Sequence, residues 1–209
     1  MDIGISHSDN FEQDMFEEIS SASNLEGIAL QAESRSNQQM AALEWMIVPA
    51  IAIYIAKPFI DKFLAKAAED SLEFAYPRFK ATLQSLVVRL FRCDRSKFKT
   101  FTSGKGKVVD EGSWLFGIYS VTRSNQRMKF IFCDGMTEDQ YKYATSQLFT
   151  LLKYHHLEGG SDDITLGIAS LPNPNAHEVF VRFDLQSKRW RVVDLIEEIK
   201  RIKDARPQP

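Results

Sequence analysis

The sequence predicts an α+β protein in which a helical N-terminal region with an apolar, proline-containing helix precedes an antiparallel sheet with two helices. Three observations lead to this prediction. An uncharged run lies near residue 50, helical spacing of apolar residues continues to residue 92, and from about residue 97 the apolar alternation has a period of two. The order predicted for the last part, β-β-α-β-β-(β)-α, is typical of helices packed on one face of an antiparallel sheet.

The totals indicate a folded protein of ordinary size. The chain has 209 residues, enough for one domain or a small domain with appendages. A composition with 44% hydrophobic and 26% charged residues excludes a disordered chain. Cys93 and Cys133 lack metal-type spacing, which favours free thiols in a reducing compartment.

Charge is distributed unevenly along the chain. Residues 1–34 hold eight acidic residues and no Lys or Arg, whereas residues 78–107 hold nine basic residues and one acidic residue. This pattern predicts two surfaces with different partners, or a tail that folds back on a basic patch. We do not expect nucleic acid as a partner, because the net charge is only −2. The predicted basic surface comprises Arg78, Lys80, Arg89, Arg92, Lys105 and Lys107.

The first 39 residues are predicted to be a mobile acidic tail with one or two helical pieces. Polar and acidic residues dominate there, and helical spacing is kept only by Phe11, Met15, Phe16 and Ile19. Residues 61–95 are predicted to form amphipathic helices, because their apolar residues fall on one stripe.

Residues 96–209 are predicted to be an α+β domain that folds alone. Thr137 is the expected N-cap of a helix over 137–157, with Gln140 at the spacing of a capping box. A second helix is predicted over 194–205. Alternating apolar residues predict strands over 113–121, 127–133, 163–171, 177–185 and 188–193.

The uncharged run Trp45–Ala56 raises the question of a membrane helix. Its 12 residues are fewer than the roughly 20 that span a bilayer. Extended to residues 40–60, the window has 21 residues with charges only at Glu44 and Lys57. The segment is therefore either a membrane-inserted helix or a helix buried in protein. Its members are Trp45, Ile47, Val48, Pro49, Ile51, Ile53, Tyr54, Ile55 and Pro58.

The charges beside this segment predict an orientation. Lys57, Lys62 and Lys66 follow it, whereas Arg35 is the one basic residue on the N-terminal flank. Positive charge favours the cytoplasmic side. The prediction is thus a protein of the cell membrane with a cytoplasmic C-terminal domain; in the alternative the whole chain is cytoplasmic.

No catalytic, cofactor or metal motif is present in the sequence. Neighbouring side chains on a helix point about 100° apart, so His155 and His156 are a poor metal pair. Cys133 lacks a base within its sequence neighbourhood. An enzyme using these residues is the weakest hypothesis, and we predict no cofactor and no metal.

Two functions from different classes remain. The first is a non-enzymatic, membrane-associated protein whose cytoplasmic α+β domain binds a partner or ligand. Its partners would be membrane lipid and a protein or a second copy of the chain. The alternative is a soluble α+β binding module whose apolar helix is buried or forms a subunit interface.

Overall fold

The computed structural model describes part of the chain. The described residues are 2–8, 16–17, 29–35, 51–61, 81, 84, 112–133, 136–157, 162–194, 196–197 and 200. They contain a seven-stranded sheet and two helices with defined bounds.

The strands form one mixed sheet. The elements are β1 (Ile3–Ser8), β2 (Leu30–Arg35), β3 (Ile51–Ile55), β4 (Gly112–Val121), β5 (Arg127–Cys133), α1 (Glu138–Leu157), α2 (Asp163–Ala169), β6 (Glu178–Asp184) and β7 (Arg189–Val193). The order across the sheet is β2-β1-β3-β4-β5-β6-β7. Three neighbouring pairs are parallel (β1–β2, β3–β4 and β5–β6) and three are antiparallel. The α+β class is confirmed, but the sheet is mixed rather than antiparallel.

One face of the sheet carries the main hydrophobic core. A row of paired residues crosses five strands, each at most 3% exposed: Ile5, Ile53, Ile118, Phe130 and Val181. Trp190 of β7 lies on the same face, and its indole nitrogen donates to the carbonyl of Ala144 in α1 at 2.9 Å. This face therefore packs against α1.

The predicted start of α1 is confirmed by its hydrogen bonds. The Thr137 hydroxyl accepts from the Gln140 backbone N–H at 3.3 Å, and the Gln140 side chain accepts from the Thr137 N–H at 2.7 Å. This reciprocal pair is the expected capping box. The four strand predictions at 113–121, 127–133, 177–185 and 188–193 correspond to β4, β5, β6 and β7.

The predicted strand over 163–171 is wrong, because residues 163–169 form α2. Asp162 caps this helix by accepting from the backbone N–H groups of Ile164 and Thr165. The helix lies close to β7: a Cβ at Gly167 would come within 2.7 Å of Val192. Capping and close packing thus override the apolar alternation that predicted a strand.

The prediction for residues 1–39, an acidic tail with one or two helical pieces, is not supported at the two described ends of this region. Residues 3–8 and 30–35 are strands, and the alternating Ile3, Ile5 and His7 face the core. Asp2 is buried and accepts from the Ala29 N–H at 3.1 Å. Phe16 is helical and stacks on His7, with ring centroids 3.9 Å apart.

The predicted helix through the apolar segment is wrong at residues 51–55, because these residues form strand β3 between β1 and β4. Ile51, Ile53 and Ile55 are at most 2% exposed and face the core. Their β-branched side chains fit a pleated sheet. Among the residues that the structure describes, no helix is long and apolar enough to cross a membrane. Membrane association itself stays a prediction.

The remaining predicted residues and elements lie partly within and partly outside the described residues. Pro58 is exposed in a helical segment at residues 57–61, whose Phe59 and Ile60 are buried. Of the final helix, residues 196, 197 and 200 are helical. The division of the chain at residue 96 stays a prediction, although β3 and β4 pair across it. The following lie outside the described residues: Trp45, Ile47, Val48, Pro49, Arg78, Lys80, Arg89, Arg92, Lys105 and Lys107.

Candidate functional site

Two polar clusters stand out among the described residues. The turn cluster lies where the β4–β5 turn meets α1 and α2, and it comprises Arg123, His155, His156, Asp162 and Thr165. The tyrosine cluster lies on the sheet face opposite the main core, and it comprises Tyr54, Tyr119, Arg127, Lys129 and Glu178.

In the turn cluster, both ring nitrogens of His155 are occupied. Nε2 accepts from the backbone N–H of Arg123 at 3.3 Å, so Nδ1 carries the proton and donates to Asp162 Oδ1 at 2.9 Å. Burial lowers the pKa of His155, although the hydrogen bond and charge of Asp162 act in the opposite direction. The ring is therefore neutral at pH 7, and neither nitrogen is available for proton transfer to a substrate.

Asp162 collects hydrogen bonds from three elements. Its carboxylate accepts from His155, from the Thr165 hydroxyl at 2.7 Å and from Arg123 Nη2 at 2.8 Å, besides capping α2. Burial alone would raise the pKa of Asp162, but the hydrogen bonds from Thr165 and His155 outweigh it and hold the pKa at about 2. Asp162 thus stays ionised and joins the turn to both helices.

His156 and Cys133 are also engaged within the protein. His156 Nε2 donates to the carbonyl of Val121 at 3.1 Å, and burial together with His155 lowers its pKa to about 4. The thiol of Cys133 donates to the carbonyl of Phe183 at 2.8 Å. No group of three or more potential metal ligands occurs in the described part of the chain. The turn cluster therefore connects the β4–β5 turn to α1 and α2, and we interpret it as a structural junction.

The tyrosine cluster is built by cross-strand neighbours. Tyr54 of β3 pairs with Tyr119 of β4, which pairs in turn with Lys129 of β5. The two tyrosine rings stack with centroids 4.8 Å apart and planes 14° apart. The guanidinium carbon of Arg127 lies 4.4 Å from the Tyr119 centroid and 5.8 Å from that of Tyr54. Arg127 therefore covers the tyrosine pair.

Arg127 is held in place and yet remains accessible. Its Nε lies 3.2 Å from Glu178 Oε1, and 49% of its side chain is exposed. Tyr119, by contrast, is only 3% exposed. A planar guanidinium supported by an aromatic face and a carboxylate keeps a defined orientation. The exposed part of Arg127 is thus a preorganised set of hydrogen-bond donors.

The buried members of this cluster have shifted pKa values. Burial lowers the pKa of Lys129 to about 8, against the opposing charge of Glu178. Burial and the neighbouring Tyr54 raise the pKa of Tyr119 well above its usual value. Groups perturbed by burial and by specific charges are enriched at functional sites. Because the histidines of the turn cluster direct their hydrogen bonds within the protein, whereas the Arg127 side chain is 49% exposed, we take the tyrosine cluster as the candidate functional site.

No family model, no curated protein and no solved structure matches this chain.

Of this cluster, only Tyr54 was among the predicted site residues. Tyr54 was expected in the apolar segment, whereas Arg127 and Lys129 belong to a predicted strand without an assigned role. Their alternation in RMKFIFC places both on one face of β5. The missing information was the identity of the cross-strand neighbours, which depends on strand order and register.

Proposed function

We propose that this protein is a non-enzymatic binding protein and that its ligand or partner docks on the tyrosine cluster through Arg127. The proposal depends on one observation: the Arg127 side chain is held in a defined orientation and is also exposed to solvent. Its Nε lies 3.2 Å from Glu178 Oε1 and its guanidinium carbon lies over two tyrosine rings, while 49% of the side chain remains exposed. Preorganised donors bind with a smaller loss of side-chain entropy.

The ligand class that fits is an anionic group, such as a carboxylate or a phosphate. A guanidinium matches the paired oxygens of these groups. Strands β5–β7 also give this sheet face five basic residues against two acidic ones. They are Arg127, Lys129, Arg182, Arg189 and Arg191, against Glu178 and Asp184. The excess positive charge would attract an anion.

A binding role fits the remaining described side chains better than catalysis does. A histidine acting as a general base needs a ring nitrogen within reach of a substrate proton. His155 uses both of its nitrogens within the protein, and His156 donates to Val121. Cys133 donates to a backbone carbonyl rather than to a base. These contacts support a structural role for the residues that an enzyme would have used.

The test is an NMR titration of the arginine Nε–H signals with inorganic phosphate and with acetate, using chloride at equal ionic strength as the reference. We expect a saturable shift of the Arg127 signal. The substitution Arg127→Gln should abolish binding, whereas Arg191→Gln should leave it intact. Arg191 is the matched control because it lies on the same face and contacts Asp184 at 3.4 Å. Equal, non-saturating shifts at both arginines would count against the proposal.

Membrane association is a separate proposal, which the uncharged residues 45–50 motivate by their apolar composition. High-speed centrifugation of a lysate tests it on the full chain. Recovery in the pellet with release by detergent would support an attachment. Recovery in the supernatant would contradict it, and would leave the anion-binding proposal untouched.

A further inference from the structure

The two adjacent histidines in the last turn of α1 carry their protons on opposite ring nitrogens. Nε2 of His155 accepts from the Arg123 backbone N–H at 3.3 Å, so the proton of this ring lies on Nδ1, which donates to Asp162. Nε2 of His156 instead donates to the carbonyl of Val121 at 3.1 Å. The hydrogen bond that each ring makes with the backbone of the β4–β5 hairpin thus fixes its tautomer.

The bond at His155 Nε2 is incompatible with a protonated ring. An imidazolium ion has two N–H donors and no acceptor, and the Arg123 N–H that faces Nε2 is itself a donor. Asp162 can still accept from Nδ1, because that nitrogen already carries a proton. Protonation therefore breaks the contact of His155 with the turn and keeps its contact with the residue that caps α2.

The surroundings of the two rings disfavour two positive charges at this place. The rings of His155 and His156 meet edge to face with centroids 5.0 Å apart, so two imidazolium ions would repel each other. For His156, burial is the largest cause of a lowered pKa, and Lys57 and Arg123 add to it from two other elements. Asp162 supplies the opposing charge, but it also binds Arg123 at 2.8 Å. Among the described residues, these are the charged groups that act on the two rings.

The elements on either side of this junction are also held by bonds that involve no histidine. In the turn, the Thr122 N–H donates to the carbonyl of Gln126 at 2.8 Å, and the Gln126 N–H donates to the Thr122 hydroxyl at 2.9 Å. Near the start of α1, the Tyr141 N–H donates to the carbonyl of Thr137 at 3.0 Å. Acid can therefore act on the junction without unfolding the turn or the first part of the helix.

We propose that the turn cluster is an acid-sensitive switch, in which protonation of His155 and His156 releases the last turn of α1 from the β4–β5 turn while the sheet stays folded. In the open state both rings contact water, and each takes up a proton without opposing a buried donor or a neighbouring cation. The switch involves no residue of the tyrosine cluster and goes beyond the proposed function, so that each of the two can fail without the other.

The test is NMR spectroscopy of the full chain between about pH 7.5 and about pH 5, the range in which histidines titrate. At the higher pH we expect the ring nitrogen signals of a neutral Nδ1–H tautomer for His155 and of a neutral Nε2–H tautomer for His156. At the lower pH the hydrogen-exchange protection factor of the Arg123 amide should fall by about tenfold or more, because protons bind preferentially to the open state. The amides of Thr122 and Tyr141 should keep their protection.

The double substitution His155→Gln with His156→Gln is the matched variant. A glutamine amide offers a donor and an acceptor but does not titrate. In this variant the protection of the Arg123 amide should be equal at the two pH values. His177→Gln is the control, because His177 is exposed directly before β6, and it should leave the acid response unchanged. If the double variant does not fold, the ring signals and amide protection of the unaltered protein decide the question.

Three outcomes would overturn the proposal. Protection of the Arg123 amide that does not change in acid would show that the junction stays closed. A simultaneous loss of protection at Arg123, Thr122 and Tyr141 would show that acid unfolds the whole protein instead of opening one contact. An acid response that persists in the folded double variant would assign the effect to another titrating group.

Discussion

His155 and Asp162 are joined by a 2.9 Å hydrogen bond that connects the end of α1 to the residue that caps α2. The same carboxylate binds Arg123 in the β4–β5 turn. One ionised group therefore sets where α2 begins and holds both helices against the turn. This arrangement leads to predictions about stability rather than about catalysis.

Replacement of Asp162 should be strongly destabilising. Asp162→Ala removes the N-cap of α2 and leaves the Nδ1–H of buried His155 without its acceptor. We expect the free energy of unfolding to fall by about 3 kcal/mol, measured by urea denaturation. The control is Asp163→Ala, because this neighbouring acid is exposed and lies in the first turn of α2. A loss below about 0.5 kcal/mol for Asp162→Ala would contradict the role of the carboxylate as a junction.

Stability should decrease as the pH falls below about 6.5. The pKa values of His155 and His156 are lower in the folded protein than in the unfolded chain. Protonation therefore favours unfolding, and the stabilisation present above pH 6.5 is lost progressively toward pH 4, the approximate pKa of folded His156. For His156 this loss is about 2 kcal/mol, since part of the ring contacts water.

The matched variant for the pH experiment is His156→Gln. Its amide can still donate to the carbonyl of Val121 but does not titrate. We expect a smaller loss of unfolding free energy between pH 6.5 and pH 4 than in the unaltered protein. An equal pH dependence in the two proteins would exclude His156 as a source of acid sensitivity.

Gly167→Ala should destabilise the packing of α2 on β7. The added methyl group would lie 2.7 Å from Val192 Cβ and Cγ2, so the helix or the edge strand must move. We expect a loss of about 1–3 kcal/mol in thermal or chemical unfolding. Leu166→Ala is the control, because Leu166 is 58% exposed on the same helix and should cost little. A neutral Gly167→Ala would show that β7 accommodates the shift freely.

The fragment 96–209 tests the predicted domain boundary. It lacks β3, so the edge of β4 and the core side chain of Ile118 lose their partner Ile53. We expect this fragment to aggregate or to unfold without cooperativity in calorimetry, unlike the full chain. A monomeric fragment with a cooperative transition would support the boundary that the sequence predicted. It would also show that residues 96–209 fold without β1–β3.

Local signals in the sequence were sufficient for the elements of the C-terminal half. The capping box at Thr137 and Gln140 defines the start of α1 through contacts three residues apart. The alternating residues of β6 are buried on one face and mark it as a strand. In both cases the element type is determined locally, by hydrogen bonds within the element or by the spacing of its apolar residues.

The sequence by itself determined the α+β class, the helix α1 and the strands β4, β5, β6 and β7, because periodicity and capping are local properties. Only the tertiary structure decided that residues 51–55 form a central strand. A short apolar run is compatible with a buried helix or a buried strand, and its backbone partners β1 and β4 made the choice. The same holds for the tyrosine cluster, where Tyr54, Tyr119 and Arg127 meet because the order and register of β3, β4 and β5 bring them together.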